Sequence, residues 1–146
     1  MNMLRLSIMA GLCLLLCSCQ QETKPEGADA TSPVTGEVYV DGSPAEGLRV
    51  ICHGADPDQQ FPTVSLAVTD AEGKFAFATY TEGDGLREGE YVLTFDWRDG
   101  YAMVSGTPSG PDKLDNRYNA PGKSTTRLTV TAETPVDLGR IELTTK

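Results

Sequence analysis

The side chains best suited to chemistry in this 146-residue chain are its four cysteines and its single histidine. Cys13, Cys17 and Cys19 fall within seven positions near the N-terminus, while Cys52 and His53 are neighbours. A structural zinc site needs two ligand pairs at defined spacing. In a strand, adjacent residues point to opposite faces, so we expect an inward thiol beside an outward, surface imidazole. The spacing therefore predicts neither a metal site nor a Cys-His nucleophile pair, and we expect no cofactor.

Residues 1–18 have the layout of a secretory signal peptide. Arg5 provides a positive charge, and the apolar run that follows is shorter than the roughly twenty residues needed to span a bilayer. The end of this run, Leu16-Cys17-Ser18-Cys19, resembles the lipobox of bacterial lipoproteins. That resemblance implies cleavage before Cys19 and a diacylglycerol on its thiol, with an uncut signal anchor as the alternative. The two earlier cysteines would leave with the leader.

The lipobox implies a cell-envelope protein, lipid-anchored to a bacterial membrane on its periplasmic or outer-surface face. Acyl chains hold a protein at a bilayer almost permanently when there are two or more of them. Residues 19–33 are polar and lack apolar periodicity, which predicts a lipidated cysteine followed by a flexible tether. The formal net charge is −9, and the basic residues are scattered singly among acids. Because nucleic acid attracts clustered cations, we expect no nucleic-acid partner.

Residues 34–146 show the two-residue alternation that is typical of β-strands, with turn residues between the alternating segments. No helical period competes with it. Seven strands are predicted, at 34–40, 48–53, 63–69, 74–80, 90–97, 125–131 and 136–143. Short strands at this spacing predict one all-β domain, a seven-stranded antiparallel β-sandwich with its core between two sheets.

The alternation also predicts which side chains share a strand face. Phe75 and Phe77 lie on one face of the fourth segment, and the third offers Val64, Leu66 and Val68 as its apolar face. In the fifth, Tyr91, Leu93, Phe95 and Trp97 alternate with Val92, Thr94 and Asp96. In the last segment the alternation slips near Gly139, which predicts a bulge or a late strand start.

Three stretches in order resemble the transthyretin-like, carboxypeptidase-regulatory-like β-sandwich family. They are GEVYVDGSPAEGLRV, TDAEGKFAF and LREGEYVLTF, and the resemblance covers residues 34–143. It implies a first hairpin shaped by Pro44 and Gly47, a tight turn at Gly73, and a tyrosine corner at Tyr91. Hydroxyisourate hydrolases of this fold need several histidines and a C-terminal Tyr-Arg-Gly-Ser. This chain has one histidine and ends Leu-Thr-Thr-Lys, so we expect no enzyme.

The long loop over residues 97–124 is the most interesting candidate for binding, since long loops on a rigid scaffold often bind ligands. Aromatic rings at Trp97, Tyr101 and Tyr118 suit stacking on a sugar, with hydroxyl contacts from Asp112, Asp115 or Arg117. The candidate ligand-binding residues are Tyr101, Arg117 and Tyr118.

The alternative for this loop is a purely structural lid. Asp112 would cap one helical turn and place Leu114 and Tyr118 on the same side, folded over the end of the sandwich. Trp97 would continue the core face of its strand.

Acidic residues in turns offer a calcium site as a further alternative. They are Asp56, Asp58, Asp70, Glu72, Glu82 and Asp84. Calcium takes six to eight oxygens, usually from closely spaced acids in a defined loop, and the spacing favours solvated turn acids instead. The sequence as a whole predicts a non-enzymatic, lipid-anchored envelope module for protein or polysaccharide contacts. The alternative is a carbohydrate- or calcium-binding envelope module that uses the 97–124 loop.

Overall fold

The computed structural model describes residues 24–55, 61–99 and 110–146; Cys19 and Tyr101 lie outside these ranges. The described chain is all-β, with one short 3-10 helix at Pro121–Lys123. Ten strands follow in order: β1 Thr31–Ser32, β2 Val34–Val40, β3 Ser43–Pro44, β4 Arg49–Gly54, β5 Thr63–Val68, β6 Lys74–Ala76, β7 Leu86–Arg87, β8 Gly89–Asp96, β9 Arg127–Val130 and β10 Val136–Leu143. Each of the seven predicted segments overlaps one of these strands, and the two-residue strands β1, β3 and β7 were not predicted.

Two larger sheets and one small one make up the fold. In the first sheet β2 is central, with β10 on one edge and β3 and β6 on the other. The second sheet has the order β5-β4-β8-β9, and β1 pairs with β7 in a separate two-stranded sheet. Among the described residues all strand pairs are antiparallel except β2 with β10, which is parallel, so the prediction of a wholly antiparallel fold was wrong at this pair. The reason is that alternation shows which face of a strand is buried but not which strand pairs with it.

One core lies between the two larger sheets, because both contribute inward side chains to a single cluster. From the first sheet come Val34, Val38, Val40, Phe75 and Leu143, and from the second Val50, Cys52, Leu93, Phe95, Leu128 and Val130. Phe75 and Phe77 are both buried and meet edge to face at 5.4 Å between ring centroids, which confirms their predicted shared face.

The third predicted segment has its apolar residues on the outside. Leu66 of β5 lies opposite Ile51 and Val68 opposite Arg49, so both share the outer face of β4. Ser65 and Ala67 take the inward positions and are buried. The predicted apolar face of this segment, Val64, Leu66 and Val68, is therefore its outer face, because the register on β4, and not apolarity, decides which face is inward.

Two turns in the first half of the domain test the family-based expectations, and the second of them has the expected conformation. The first hairpin turns at Asp41 and Gly42, both with positive φ (49° and 82°). The expectation that Pro44 and Gly47 shape it holds only in part, because Pro44 pairs with Tyr39 in the second strand of the hairpin and Gly47, with φ 70°, belongs to the turn that follows. Gly73 has the expected positive φ of 79°, and a Cβ there would lie 2.5 Å from the Val38 carbonyl oxygen.

The tyrosine corner and the bulge are both present as predicted. The Tyr91 hydroxyl donates to the carbonyl oxygen of Arg87 at 2.8 Å, which fastens the loop before β8 to the sheet. In β10 the register against β2 shifts between Asp137 and Arg140, and Gly139 within the shift has φ 61°.

The folded domain begins inside the segment predicted as tether. Thr31 and Ser32 pair with β7, and the buried Ser32 hydroxyl donates to the Thr131 carbonyl oxygen at 2.9 Å. Because these contacts are made within the domain, Thr31 is its first strand residue.

Candidate functional site

The single histidine is buried, which corrects the expectation of a surface imidazole. His53 does point to the outer face of β4, yet the residue is only 8% exposed. Its neighbour Cys52 points into the core as predicted, and burial raises the pKa of that thiol to about 12. A thiol with so high a pKa stays protonated and is a poor nucleophile.

His53 forms a buried hydrogen-bonded pair with Thr94 of β8. The Phe61 carbonyl oxygen, 3.2 Å from Nδ1, can only accept, so Nδ1 carries the proton. Nε2 is then the acceptor for the Thr94 hydroxyl at 2.8 Å. The Thr94 hydroxyl, the His53 imidazole and the Phe61 carbonyl have the order of the nucleophile, base and orienting group of a catalytic triad. Thr94 is only 1% exposed, however, so its hydroxyl offers a substrate no accessible surface. The pair therefore acts as a buried cross-strand link.

The buried imidazole makes stability depend on pH. Burial lowers the pKa of His53 below 6.5, against the opposing effect of the Phe61 carbonyl. The unfolded chain binds a proton near pH 6.5 and the folded chain does so only at lower pH, so the free energy of unfolding falls as pH drops below 6.5. The pKa values of the Asp41 and Asp84 carboxyl groups are also lowered, but they change the free energy of unfolding only near and below pH 3.8, where unfolded aspartates bind protons.

We expect urea unfolding at about pH 7 and pH 5 to show this loss in the wild type, and His53→Gln to lose less because glutamine does not titrate. Equal losses in the two proteins would rule out a neutral, buried His53.

The first part of the predicted lid is held by Asp112. Its carboxylate accepts from the backbone N–H groups of Trp97 at 2.9 Å, Leu114 at 3.1 Å and Asn116 at 3.0 Å. The predicted cap is thus present, on a turn and not on a helix. Leu114 is fully buried in the core cluster, and Trp97 packs against that cluster.

Removing the Asp112 carboxylate should release this segment from β8. Asp112→Ala leaves three backbone donors without their acceptor, and we expect it to lower the free energy of unfolding by about 3 kcal/mol. Asp112→Asn keeps one acceptor oxygen and should fall between wild type and alanine in chemical denaturation. An alanine variant as stable as the wild type would contradict this role.

Two of the three candidate ligand-binding residues fasten the loop to the end of β10. Arg117 donates from Nη2 to the Thr144 carbonyl oxygen, and the Tyr118 hydroxyl accepts from the Thr144 backbone N–H at 3.2 Å. The Thr144 hydroxyl lies 3.4 Å from the same phenolic oxygen. Hydrogen bonds from the Thr144 side chain and backbone lower the pKa of Tyr118. Tyr101, the third candidate, lies outside the described residues.

The structure brings Arg117 and Tyr118 together beside a cleft of about 240 Å³, here called the β10 cleft. Its lining comes from β8, the loop after it and β10: Phe95, Arg117, Tyr118, Lys123, Ser124, Thr125, Thr126, Ile141, Glu142 and Leu143. The guanidinium of Arg117 lies over the Tyr118 ring, with its central carbon 5.7 Å from the ring centroid. Two cations, one carboxylate, four hydroxyls and two aromatic rings suit a small polyhydroxylated or acidic group. The volume is below the roughly 300 Å³ typical of sites for whole small molecules.

An open groove of about 570 Å³ on the far side of the first sheet is acidic. Glu37, Asp70, Glu82 and Asp137 line it together with Lys74. Even so, the described ranges contain no group of three or more His, Cys, Asp or Glu side chains that could hold a metal ion.

The predicted turn acids bind backbone within their own turns. Asp70 accepts from the N–H groups of Glu72 and Lys74, and Asp84 from those of Thr79 and Tyr80. Asp56 and Asp58 lie outside the described residues.

Comparison with known proteins gives weak likenesses in structure alone. No family model and no curated protein matches the chain. Solved structures that match include a 9R-lipoxygenase from Cyanothece PCC8801 (11% identity, TM-score 0.44, 78% of this chain and 16% of that one). An (S)-allantoin synthase also matches, with 23% identity and a TM-score of 0.43 over 80% of this chain and 41% of that one. A DUF3823 family protein from Parabacteroides merdae matches with 11% identity and a TM-score of 0.40 over 80% of this chain and 46% of that one.

This chain spans less than half the length of each of these three proteins. The identities and TM-scores are too low to bear on its activity. Over residues 24–55, 61–99 and 110–146, no helix is long and apolar enough to cross a membrane.

Sequence reasoning did not find Lys123, Ser124 or Thr126 as partners of Arg117 and Tyr118. Lys123 has no motif around it, and it reaches the cleft only because the 3-10 helix turns the chain back toward β9. Glu142 and Leu143, which also line the cleft, come from β10, about 20 residues further along the chain than Lys123.

Proposed function

We propose that this chain is a non-enzymatic, lipid-anchored module of the bacterial cell envelope that mediates protein or polysaccharide contacts. The observation behind the proposal is the lipobox-like Leu16-Cys17-Ser18-Cys19, which follows an apolar run too short to span a bilayer. The ordered motifs of residues 34–143 and the single core between two sheets support a transthyretin-like β-sandwich as the module. Its lipid anchor would be the thioether at Cys19.

The position of the first strand limits how far such a module stands from the lipid. Residues 20–30 separate Cys19 from Thr31, and eleven extended residues span at most about 40 Å. The full chain has a net charge of −9, and loss of Arg5 with the leader would leave the mature chain at −10, so anionic headgroups would repel it and acyl chains, not the protein surface, would make the membrane contact. The sheet faces and the β10 cleft are then free to meet other envelope components.

Burial of the reactive side chains supports a binding role over catalysis. Cys52 is inside the core with a raised pKa, and the His53–Thr94 pair is closed from solvent. A nucleophile and its base must reach a bound substrate, and neither group does so here.

In-cell cross-linking with mass spectrometry tests the proposal, since it identifies neighbours without assuming a ligand. Cross-links from the exposed Lys113, Lys123 and Lys146 to envelope proteins are expected. Cross-links confined to cytoplasmic proteins would contradict it.

The β10 cleft favours a second candidate function, recognition of one sugar unit in an envelope polysaccharide. Lys123 is an exposed cation in that cleft, whereas Arg117 and Tyr118 are engaged in fastening the loop to Thr144. On a glycan array, Lys123→Ala should weaken binding about tenfold through loss of a charge-assisted hydrogen bond. Arg127→Ala, an exposed cation of β9 outside the cleft lining, should leave it unchanged.

If Lys123→Ala and Arg127→Ala weakened glycan binding equally, the sugar would bind outside the β10 cleft. Calcium, the other expected ligand class, is tested by calorimetry on the same chain, and a saturable heat would favour calcium over sugar.

A further inference from the structure

The hydroxyl groups that line the β10 cleft divide into those that the fold already uses and those that it does not. The Ser124 hydroxyl donates to the Leu93 carbonyl oxygen at 2.5 Å and accepts from the Thr126 backbone N–H at 3.2 Å. Within the described ranges the hydroxyls of Thr125 and Thr126 make no hydrogen bond. Thr125 is exposed and Thr126 is half-buried, so both can bond to a ligand.

The carboxylates at the cleft already have partners. Glu142, the carboxylate residue of the lining, accepts through Oε1 from Nε of Arg140, which does not line the cleft. Asp41 lies near enough to Arg117 to interact with it electrostatically. Its two carboxylate oxygens accept from Thr145, however, one from the backbone N–H at 3.2 Å and one from the hydroxyl at 2.6 Å. Neither carboxylate forms an ion pair with a described cation of the cleft lining.

The two cations of the cleft lining differ from most other cations of the described ranges, because they lack a carboxylate partner. Cations with a carboxylate oxygen within 4.0 Å are Arg49, Lys74, Arg87, Arg98, Lys113 and Arg140. Arg117 bonds instead to the carbonyl oxygens of Leu114 and Thr144, and Lys123 makes no ion pair within these ranges. The other cations without a carboxylate partner lie outside the cleft lining; they are Lys24, Arg127 and Lys146.

We infer that the sugar unit bound in the β10 cleft is an acidic one, a uronic acid whose carboxylate binds Arg117 and Lys123. This inference rests on the second candidate function, recognition of a sugar, and names the class of sugar. The ring hydroxyls of the uronic acid bond to the hydroxyls of Thr125 and Thr126. In a chain with a net charge of −9, this cleft is a local site of opposite charge.

A carboxylate suits these groups better than a neutral sugar hydroxyl does. Hydrogen bonds from a cation to a carboxylate are about twice as strong as those between neutral groups. Nε and Nη2 of Arg117 already donate to backbone carbonyl oxygens, so one carboxylate oxygen can bind the remaining N–H groups of Arg117 and the other the Lys123 ammonium. The volume of about 240 Å³ suits one sugar unit, with the neighbouring units of the polysaccharide outside the cleft.

A glycan array that carries each uronate glycan beside its methyl ester tests this inference, because the ester removes the charge and keeps the sugar ring. The probes are glycans of glucuronate, galacturonate and mannuronate, applied to the full chain in detergent. The wild type should bind at least one acid at least about tenfold more tightly than its ester. Lys123→Gln should lower the affinity for that acid about tenfold and leave the affinity for the ester unchanged.

Arg127→Gln is the matched control, because it removes an exposed cation of β9 that does not line the cleft. It should keep the wild-type affinities for acid and ester. Lys123 and Arg127 are both exposed, so the two variants should also keep the wild-type circular dichroism spectrum.

Equal affinities of the wild type for acid and ester would overturn the inference. So would a Lys123→Gln protein whose affinities for acid and ester fall equally, or a preference for sulfated over carboxylated glycans. Recognition of a sugar fails separately from recognition of its acid. Binding of neutral glycans or esters in preference to acids would overturn the acidic class alone, whereas a chain that binds no glycan on the array would overturn both.

Discussion

Replacing Gly85 with alanine is expected to lower the free energy of unfolding by at least about 4 kcal/mol. Gly85 has φ +86°, and a Cβ built there would lie 1.8 Å from the Ser32 carbonyl oxygen and 2.7 Å from the Pro33 Cα. Those atoms are backbone and cannot move aside as a flexible side chain would. The substitution would push β1 away from β7 and disrupt the hydrogen bond from Gly85 N–H to the Phe77 carbonyl oxygen.

Gly83→Ala is the matched control, two residues away. Its φ is +73°, similar to that of Gly85, but a Cβ there meets no atom within 4 Å. Gly83→Ala should therefore lower the free energy of unfolding by only about 1 kcal/mol, which is the cost of placing alanine at a positive φ. Denaturant unfolding separates the two, and a Gly85→Ala protein as stable as Gly83→Ala would mean that residues 31–33 do not pack on this turn.

Replacing Cys19 with serine is expected to abolish membrane association of the mature chain. Serine has no thiol to accept the diacylglycerol, and a chain without acyl groups has no apolar segment outside the leader to hold it at a bilayer. Cell fractionation should move the protein wholly from the membrane to the soluble fraction, or leave the uncleaved precursor in the membrane with residues 1–18 attached. The processed wild type should remain in the membrane fraction.

Cys17→Ser is the control for this prediction, because it changes a cysteine two residues away that leaves with the leader. Its product should be processed and anchored like the wild type. If a processed Cys19→Ser chain, lacking residues 1–18, still fractionates with membranes, the lipid anchor is not at Cys19.

Local alternation predicted several features of the domain correctly. The inward row Tyr91, Leu93 and Phe95 of β8 follows directly from a two-residue period, and Gly139 identified the bulge of β10 because glycine interrupts a regular ladder. Each of these depends on residues that are neighbours in the chain.

The errors arose where distant segments decide the outcome. β2 and β10 lie about 100 residues apart, and nothing in either strand specifies a parallel partner. Likewise, His53 was expected at the surface because its face of β4 is the outer one. The imidazole is bonded to Phe61 and Thr94, which follow 8 and 41 residues later in the chain, and alternation within β4 does not report such contacts.

The same distinction between local and distant determinants applies to the candidate site. The sequence indicated the aromatic and cationic types at Arg117 and Tyr118, but their hydrogen bonds to Thr144 depend on where β10 ends. The same geometry explains why Lys123, with no motif of its own, is the more informative cleft residue to replace.

The most direct test of a lipid-anchored module is the mass of the N-terminal peptide from chains purified out of membranes. We expect Cys19 to be the first residue of that peptide and to carry a diacylglycerol on its sulfur. An N-terminal peptide that still contains residues 1–18, with Cys19 unmodified, would contradict it.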